Sequence, residues 1–290
     1  MPESQKTVLI AAPAGPFKKK FFNQGVRNIE KSGFKVSFEP TISSKERFLA
    51  GSDQRRSQEL NKALVNQKAH ALLFARGGYG CQRLLAQLPK KIFPKILIGS
   101  SDLTALLNTV WQQYKIPTVY GPMVAPHFRD TKNVPALKKI LTDPHFFQKQ
   151  KLKAKKVIRS GRAEGVIVGG CLSLIISTLK TPYEINTDGK ILLLEDTHEA
   201  PYKVDRMLTQ LIQSRKLDRV KGLVLGTFRL KETIFPKEIY DVFCERFKNF
   251  KIPILWGIPF GHCEYPLYVP IGLKGEISGQ ELKVLEPFSL

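Results

Sequence analysis

The chain has 290 residues, of which 42% are hydrophobic, enough for one large domain or two modest domains with packed cores. Lysine and arginine outnumber aspartate and glutamate by 46 to 25, which gives a formal net charge of +21. No apolar run reaches the roughly 18 residues of a transmembrane helix, and none near the start fits a signal peptide, so we expect a cytoplasmic protein without membrane contact. The four cysteines form no CxxC pair, which argues against a zinc ribbon or a disulfide framework and favours buried, reduced thiols.

Strand and helix patterns alternate through the first half of the chain. Short apolar runs predict strands within KTVLIAAPAG (6–15), FKVSFEP (34–40), AHALLFA (69–75) and KILIG (95–99). Apolar residues at helical spacing predict helices over 22–32, after Asp53 as an N-cap, and from Asp102 to Tyr114. Such alternation predicts a parallel sheet with helices on its faces.

A basic stretch separates this half from a second region. QKQKLKAKKVIRSGR (148–162) is the densest run of positive charge and contains no acid. We therefore interpret residues 141–160 as a linker between an N-terminal domain over 1–140 and a C-terminal domain over 161–290. In the C-terminal region, apolar runs predict strands at 191–194, 222–228 and 252–258, and helical spacing predicts a helix over 204–214.

The positive charge raises a choice between a nucleic-acid-binding protein and a basic enzyme. Nucleic-acid modules concentrate basic residues on one element and interleave them with aromatic residues, whereas the lysines here are spread along the chain. We therefore interpret the basic run as a solvated surface and expect no nucleic acid as the main partner.

Reactive side chains follow three of the predicted strands. Ser100 and Ser101 come after KILIG, Glu195 comes after ILLL, and His262 comes after ILWGIPFG. Because the carboxyl ends of parallel strands line the crevice in which α/β proteins bind ligands, these residues are candidates for a serine, acid and histidine triad. Helix capping by the serines, a surface acid and a structural histidine are the alternative explanations.

Two glycine-containing turns support the catalytic interpretation. Residues 99–103, GSSDL, contain the first half of a G-x-S-x-G nucleophile elbow and place Ser101 at the position of the nucleophile. Gly77 and Gly78 in ARGGYG allow either a tight turn or a close backbone approach that supplies an oxyanion donor. The chain lacks a dinucleotide fingerprint, a P-loop and paired metal-binding histidines, so we expect no cofactor and no metal.

Eight motifs follow one another from the first strand to His262. They are VLIAAPAGP (8–16), FLAGSDQRRSQEL (48–60), ARGGYGCQRLL (75–85), IGSSDLTALL (98–107), YGPM (120–123), GGCLSL (169–174), LLLEDTHEAPYKVDRMLTQL (192–211) and GIPFGH (257–262). In these motifs the chain resembles the LD-carboxypeptidase family of serine peptidases, the murein tetrapeptide carboxypeptidases, which also includes microcin-immunity peptidases. The resemblance extends over nearly the whole chain.

The resemblance implies an α/β fold with two domains. An N-terminal doubly wound, mainly parallel sheet domain would carry the nucleophile Ser101, and a second mixed α/β domain would carry the orienting Glu195 and the base His262. The active site would lie in the cleft between the domains, and the protein would be a homodimer. The resemblance also implies an oxyanion hole of backbone amides, which we assign to Gly78 and Asp102.

The implied reaction is hydrolysis of an L,D-peptide bond, which releases terminal D-Ala from murein tetrapeptides in cell-wall turnover or recycling. Candidate substrate-binding residues are Arg76, Gly77, Tyr79, Ser100 and Cys171. The family commonly has Tyr, His and Asn where this chain has Ser100, Tyr120 and Cys171, so substrate preference stays open. Two alternatives remain: cleavage of a peptide-nucleotide, as by the microcin-immunity members, and non-catalytic binding of cell-wall fragments or nucleic acid.

Overall fold

A computed structural model describes residues 5–290, which divide into two compact units. One unit comprises the chain up to Pro144 together with Ser289–Leu290, and the other comprises His145–Phe288. The stretch 141–160 is not the linker that its composition suggested, because it contributes two strands to the sheet of the second unit.

The first unit contains a parallel sheet. Its strands are β1 (Thr7–Ala11), β2 (Lys35–Phe38), β3 (Ala71–Phe74), β4 (Ile96–Gly99) and β5 (Thr118–Tyr120). They lie in the order β5-β4-β3-β1-β2, with every neighbouring pair parallel. All residues of β3 and β4 are buried, which explains their continuous apolar sequences. The strand order changes direction between β1 and β3, and ligands of doubly wound sheets bind at such a point.

Helices connect these strands. They are α1 (Lys19–Lys31), α2 (Asp53–Leu64), α3 (Thr104–Tyr114), α4 (Val124–His127) and α5 (Val134–Thr142). Short 3-10 turns lie at Pro40–Ser43, Gln82–Gln87, Ser101–Leu103 and Thr131–Asn133. The N-cap of α2 is Ser52 and not Asp53, because the Ser52 hydroxyl accepts a hydrogen bond from the Arg55 amide at 3.2 Å.

The second unit is a mixed α/β domain. Its strands are β6 (Leu152–Lys153), β7 (Lys156–Arg159), β8 (Arg162–Cys171), β9 (Lys190–Thr197), β10 (Gly222–Leu230), β11 (Thr233–Ile234), β12 (Ile254–Gly261), β13 (Val269–Ile271), β14 (Lys274–Ser278) and β15 (Glu281–Val284). Its helices are α6 (Phe146–Lys149), α7 (Leu172–Ser177), α8 (Pro201–Gln213) and α9 (Lys237–Arg246). The main path is β6-β15-β14-β8-β9-β10-β12-β7, with β11 beside β10.

The centre of this second sheet is parallel and its flanks are antiparallel. Strands β8, β9, β10 and β12 run parallel, while β14, β15, β6, β7 and β11 pair antiparallel with their neighbours. The predicted fold class, a doubly wound parallel domain followed by a mixed α/β domain, is confirmed. Strands β9 and β12 flank β10. Glu195 was predicted to follow a strand that ends at Leu194, but it lies inside β9, two residues before the strand ends, whereas His262 directly follows β12. Both residues therefore lie at the same edge of the sheet.

The structure can be compared with three expectations from composition, on buried thiols, membrane-spanning helices and metal-binding clusters. Cys81 and Cys171 are buried free thiols as predicted, whereas Cys244 and Cys263 are only half-buried. In the part of the chain that the structure describes, no helix is both long and apolar enough for a membrane crossing. Among residues 5–290, no group of three or more His, Cys, Asp or Glu side chains is arranged to hold a metal ion.

Candidate active site

Ser101 lies in a strained turn directly after β4. Its backbone φ is 60°, in the left-handed region that costs a residue with a side chain about 1–2 kcal/mol. The 3-10 turn Ser101–Leu103 then leads into α3. A nucleophile elbow has the same strand, turn and helix order, and its strain exposes the serine hydroxyl at the end of the sheet.

Neighbouring groups in the first unit hold this turn. The Ser101 amide donates to the Tyr120 hydroxyl at 2.9 Å, and the Thr104 hydroxyl donates to the Ser101 carbonyl at 2.7 Å. Gly77 packs directly against the serine, because a Cβ on Gly77 would lie 2.8 Å from Ser101 Cβ and 3.0 Å from its Oγ. A side chain at position 77 would therefore displace the Ser101 hydroxyl.

A buried polar network connects the loops that surround the turn. The Asp102 carboxylate, only 1% exposed, accepts from the Cys81 amide at 2.7 Å. Burial raises the pKa of Asp102 to about 6, although the Cys81 amide and the charge of Arg56 act in the opposite direction. Arg56 is fully buried and donates to the carbonyls of Pro13 and of Gly80, the latter at 2.8 Å. The loops after β1, β3 and β4 are thus joined through charge-assisted hydrogen bonds.

Glu195 and His262 form a hydrogen-bonded pair in the second unit. Glu195 is fully buried, and its Oε2 accepts from the His262 backbone amide at 3.0 Å and lies 2.7 Å from His262 Nδ1. Gly261 makes this approach possible: its φ is 89°, and a Cβ there would overlap the Glu195 carboxylate. The carboxylate and the imidazole thus meet because a glycine precedes the histidine.

The environment of His262 suits a general base. Burial lowers the pKa of His262, but the negative charge of Glu195 and the hydrogen bond to it raise the pKa, as does the charge of Asp196, and the net result lies above the ordinary value. Because Nδ1 donates to the carboxylate, Nε2 is left as the proton acceptor of the neutral ring. The imidazole keeps 24% of its surface exposed.

A second acid lies beside the pair. Asp196 is 3% exposed and accepts from the amides of Ser173 and Thr197, both at 2.8 Å. Burial and the neighbouring charge of Glu195 raise the pKa of Asp196 to about 6. Cys171 is the register partner of Glu195 across β8 and β9, and burial raises the pKa of its thiol, which keeps the sulfur protonated and unreactive.

The predicted substrate-binding residues fall into two groups. Ser100 and Cys171 are only 4% and 3% exposed, and Gly77 is buried against Ser101, so these three residues present little side-chain surface to a ligand. Arg76 and Tyr79 are exposed, and the Tyr79 ring lies edge-on to that of Phe48, with 5.5 Å between centroids.

Three residues of the site, Arg56, Asp196 and Gly261, were not predicted from the sequence. A signal for Arg56 was present: it lies on the buried face of α2, four residues before Leu60 and seven before Ala63. A charged residue on such a face is rarely buried without a specific partner.

The chain is similar to known proteins over most of its length. The LD-carboxypeptidase N-terminal domain profile matches residues 8–121, and the C-terminal domain profile matches residues 164–277. A probable murein peptide carboxypeptidase of Bacillus subtilis is 32% identical and covers 95% of this chain and 89% of its own length. The microcin C7 self-immunity protein MccF of Escherichia coli is 27% identical over 91% of this chain and 87% of its own. The crystal structure of muramoyltetrapeptide carboxypeptidase from Oxalobacter formigenes, 26% identical, has a TM-score of 0.84 over 97% of this chain and 100% of that chain. The chain belongs to the LD-carboxypeptidase family.

Proposed function

We propose that this protein is a serine carboxypeptidase that hydrolyses an L,D-peptide bond and releases terminal D-Ala from murein tetrapeptides in cell-wall turnover or recycling. The observation that carries the proposal is the hydrogen bond of 2.7 Å between a fully buried glutamate and a partly exposed histidine in a member of this family. The names of the Bacillus subtilis and Oxalobacter formigenes relatives support murein peptides as the substrate class.

The proposed mechanism assigns one role to each member of a triad. His262 Nε2 takes the proton of the Ser101 hydroxyl as the oxygen attacks the scissile carbonyl carbon. The tetrahedral intermediate collapses, the C–N bond breaks, and His262 gives its proton to the departing D-Ala amine. Water then attacks the acyl-enzyme, with His262 again as the base, and Ser101 is regenerated. Glu195 holds the imidazole in the correct tautomer and stabilises its positive charge in each step.

The oxyanion would bind to backbone amides, for which we propose Asp102 and Gly78. The first amide belongs to the turn that begins at Ser101, and a Cβ on Gly77 would lie 3.4 Å from the Asp102 nitrogen. The Asp102 side chain links this turn to the loop after β3 through Cys81, so it positions both proposed donors. Arg56 supports the same loop through the Gly80 carbonyl.

The high positive charge has a use in this function. The substrate ends in a carboxylate and has further carboxylates along its stem, which a basic protein attracts over a Debye length of about 8 Å at physiological salt. The proposal includes a cytoplasmic location and a homodimer, both of which rest on the family resemblance.

A second candidate function is cleavage of a peptide-nucleotide, as in the immunity members of the family. The 27% identity to MccF over 91% of this chain is the observation that favours it. The two functions share the triad and differ in the group that precedes or follows the scissile bond, so a direct comparison of substrates separates them.

The first test is release of D-Ala from purified L-Ala-D-Glu-meso-diaminopimelate-D-Ala in the presence of a metal chelator. We expect turnover by the native protein and a loss of at least about 10³-fold in Ser101→Ala. Ser214→Ala, which removes a serine hydroxyl at the end of α8, is the matched control and should retain native activity.

Two outcomes would redirect the proposal. Turnover of a peptidyl nucleotide but not of the tetrapeptide would favour the second candidate. Binding of cell-wall fragments with no turnover of either substrate by a folded native protein would indicate a non-catalytic binder.

A further inference from the structure

A cavity in the first unit has no role in the proposed triad. It has a volume of about 300 Å³ and lies between the start of α1, the loop after β3 and the region of α4. Its walls combine apolar and cationic side chains, among them Phe17, Phe21, Pro126, Lys18, Arg76 and Arg129. Carboxylates are missing from this lining, although aspartate and glutamate occur elsewhere in the described chain.

The three cations of this cavity are not neutralised. Among residues 5–290, no carboxylate forms an ion pair with Lys18, Arg76 or Arg129. Arg129 lies over the Phe21 ring at 4.8 Å from its centroid, Lys18 lies over the same ring at 5.5 Å, and Arg76 donates to the Pro16 carbonyl at 2.6 Å. These contacts hold the side chains in place while leaving most of their N–H donors available to a ligand. Like charges held together in this way repel, and a bound anion relieves the repulsion.

One residue of the cavity lining, Arg76, has its backbone close to the candidate nucleophile. Arg76 directly precedes Gly77, the residue that packs against Ser101. Because consecutive Cα atoms are about 3.8 Å apart, the Arg76 backbone lies within about 9 Å of Ser101 Oγ. A peptide attacked by Ser101 therefore has groups one or two residues from its scissile bond within reach of the loop that carries Arg76.

We propose that this cavity binds the free α-carboxylate of the D-Glu residue in the peptide stem, an inference that rests on the proposed function. In L-Ala-D-Glu-meso-diaminopimelate-D-Ala, D-Glu is joined through its side-chain carboxyl, so its α-carboxylate stays free and negatively charged. It belongs to the residue before the one whose carbonyl Ser101 attacks, so its distance from the scissile bond is of the same order as the limit of about 9 Å between the Arg76 backbone and Ser101 Oγ. The planar guanidinium groups of Arg76 and Arg129 suit a carboxylate, and Phe17 and Phe21 pack against the methylene groups of the stem.

The test uses Ser101→Ala protein, which binds peptide without consuming it. Isothermal titration compares the tetrapeptide with a matched peptide in which the α-carboxylate of D-Glu is an amide. We expect the carboxylate peptide to bind about tenfold more tightly, the size of one charge-assisted interaction. Adding Arg129→Gln should reduce this preference to about twofold or less, because one of the charges that recognise the carboxylate is removed.

A matched control is available on the same helix as Phe21. Arg27 is an exposed arginine of α1 that does not line the cavity, so Arg27→Gln removes the same net charge and should keep the full preference. Titration with adenosine 5′-monophosphate distinguishes a phosphate ligand from a carboxylate ligand. If Arg129→Gln weakened the binding of the nucleotide but not that of the peptide, the assignment would be wrong.

The assignment also fails if the two peptides bind equally to Ser101→Ala, if neither binds, or if the preference persists in Arg129→Gln. Release of D-Ala by the native protein is measured separately. A carboxylate preference that depends on Arg129, in a protein that releases no D-Ala, would support the cavity assignment and reject the proposed function.

Discussion

The turn after β4 and the turn after β12 position their reactive side chains in different ways. Both place a reactive side chain beyond a parallel strand, and both need a backbone with positive φ. In the first unit the reactive residue itself adopts that conformation, with a φ of 60° at Ser101. In the second unit a glycine adopts it, with a φ of 89° at Gly261, and His262 follows without strain of this kind. The position of Ser101 therefore costs some free energy of unfolding through backbone strain, whereas that of His262 does not.

The forces that hold the two turns also differ. The Ser101 backbone itself is held by hydrogen bonds between neutral groups, from its amide to Tyr120 and from Thr104 to its carbonyl, and the carboxylate of this turn belongs to the neighbouring Asp102. His262 is held by a buried carboxylate that contacts both its ring and its amide. Bonds to an ionised group are about twice as strong as neutral ones. Both turns thus contain a carboxylate, but only in the second turn does the carboxylate bind the reactive residue itself.

The largest effect is expected from Glu195→Gln. The substitution removes the carboxylate that orients the imidazole and is the main charge stabilising the imidazolium, so kcat/KM should fall by about 10³–10⁴-fold. In the native protein, activity should rise with pH as His262 loses its proton, with a midpoint above the ordinary histidine pKa of about 6.5. Glu195→Gln should move that midpoint to lower pH, because the main causes that raise the pKa are removed while burial still lowers it.

The Glu195 and His262 pair also makes the free energy of unfolding depend on pH, and the sign of this dependence follows from the raised pKa of His262. Because the pKa of His262 is raised in the folded state, its protonation stabilises the fold fully below the unfolded pKa of about 6.5. This contribution disappears as the pH rises through the folded pKa. Urea unfolding of the native and Glu195→Gln proteins across this window measures it, and equal pH dependence in both would contradict the assigned cause.

An intermediate effect is expected from Gly261→Ala. The new Cβ would overlap the Glu195 carboxylate, so the glutamate and histidine must separate, and activity should fall by about 10²-fold or more with a loss of about 3 kcal/mol in unfolding free energy. Gly279→Ala is the control, since Gly279 also has positive φ, at 59°, but a Cβ there meets nothing within 4 Å. It should cost only the backbone strain, about 1 kcal/mol, and leave activity intact. Equal effects of the two substitutions would show that strain alone explains both.

The smallest effect on the unfolding free energy is expected from Ser101→Gly. Relief of the left-handed strain, offset by the greater freedom of glycine in the unfolded chain, should raise the unfolding free energy by about 0.5–1 kcal/mol while activity is lost. Lys115→Gly is a suitable reference, because Lys115 is an exposed residue with a φ of 58° at the end of α3 and should gain a similar amount. Urea denaturation measures both. A lower stability for Ser101→Gly would mean that the turn is not strained.

The sequence predicted the strand ends well but not the edges of the second sheet. Fully buried parallel strands such as β3 and β4 have continuous apolar sequences, so their ends, and with them Ser101, could be found directly. The Lys-rich stretch looked like a linker because β6 and β7 are the two end strands of the second sheet's main path. Lysines are common on edge strands, where they discourage pairing with other chains, and there they mask the strand pattern.

The approach of side chains from distant parts of the chain could not be predicted from local pattern. Glu195 and His262 were both recognised as candidates, but the glycine that lets them meet has meaning only once β9 and β12 flank β10. Arg56 likewise has partners, Pro13 and Gly80, that are far from it in sequence. Burial of an arginine is favourable only with such partners, so its position depends on the completed fold.

The buried Arg56 also has a consequence for the order of events during folding. Its guanidinium fills its place only after α2 has docked on the sheet and the loops after β1 and β3 have closed around it. Asp102 connects the Ser101 turn to that same loop. A chain in which these loops have not closed lacks the hydrogen bonds that connect the Ser101 turn to its neighbours, so we expect the proposed nucleophile to be organised only when the domain around it has assembled.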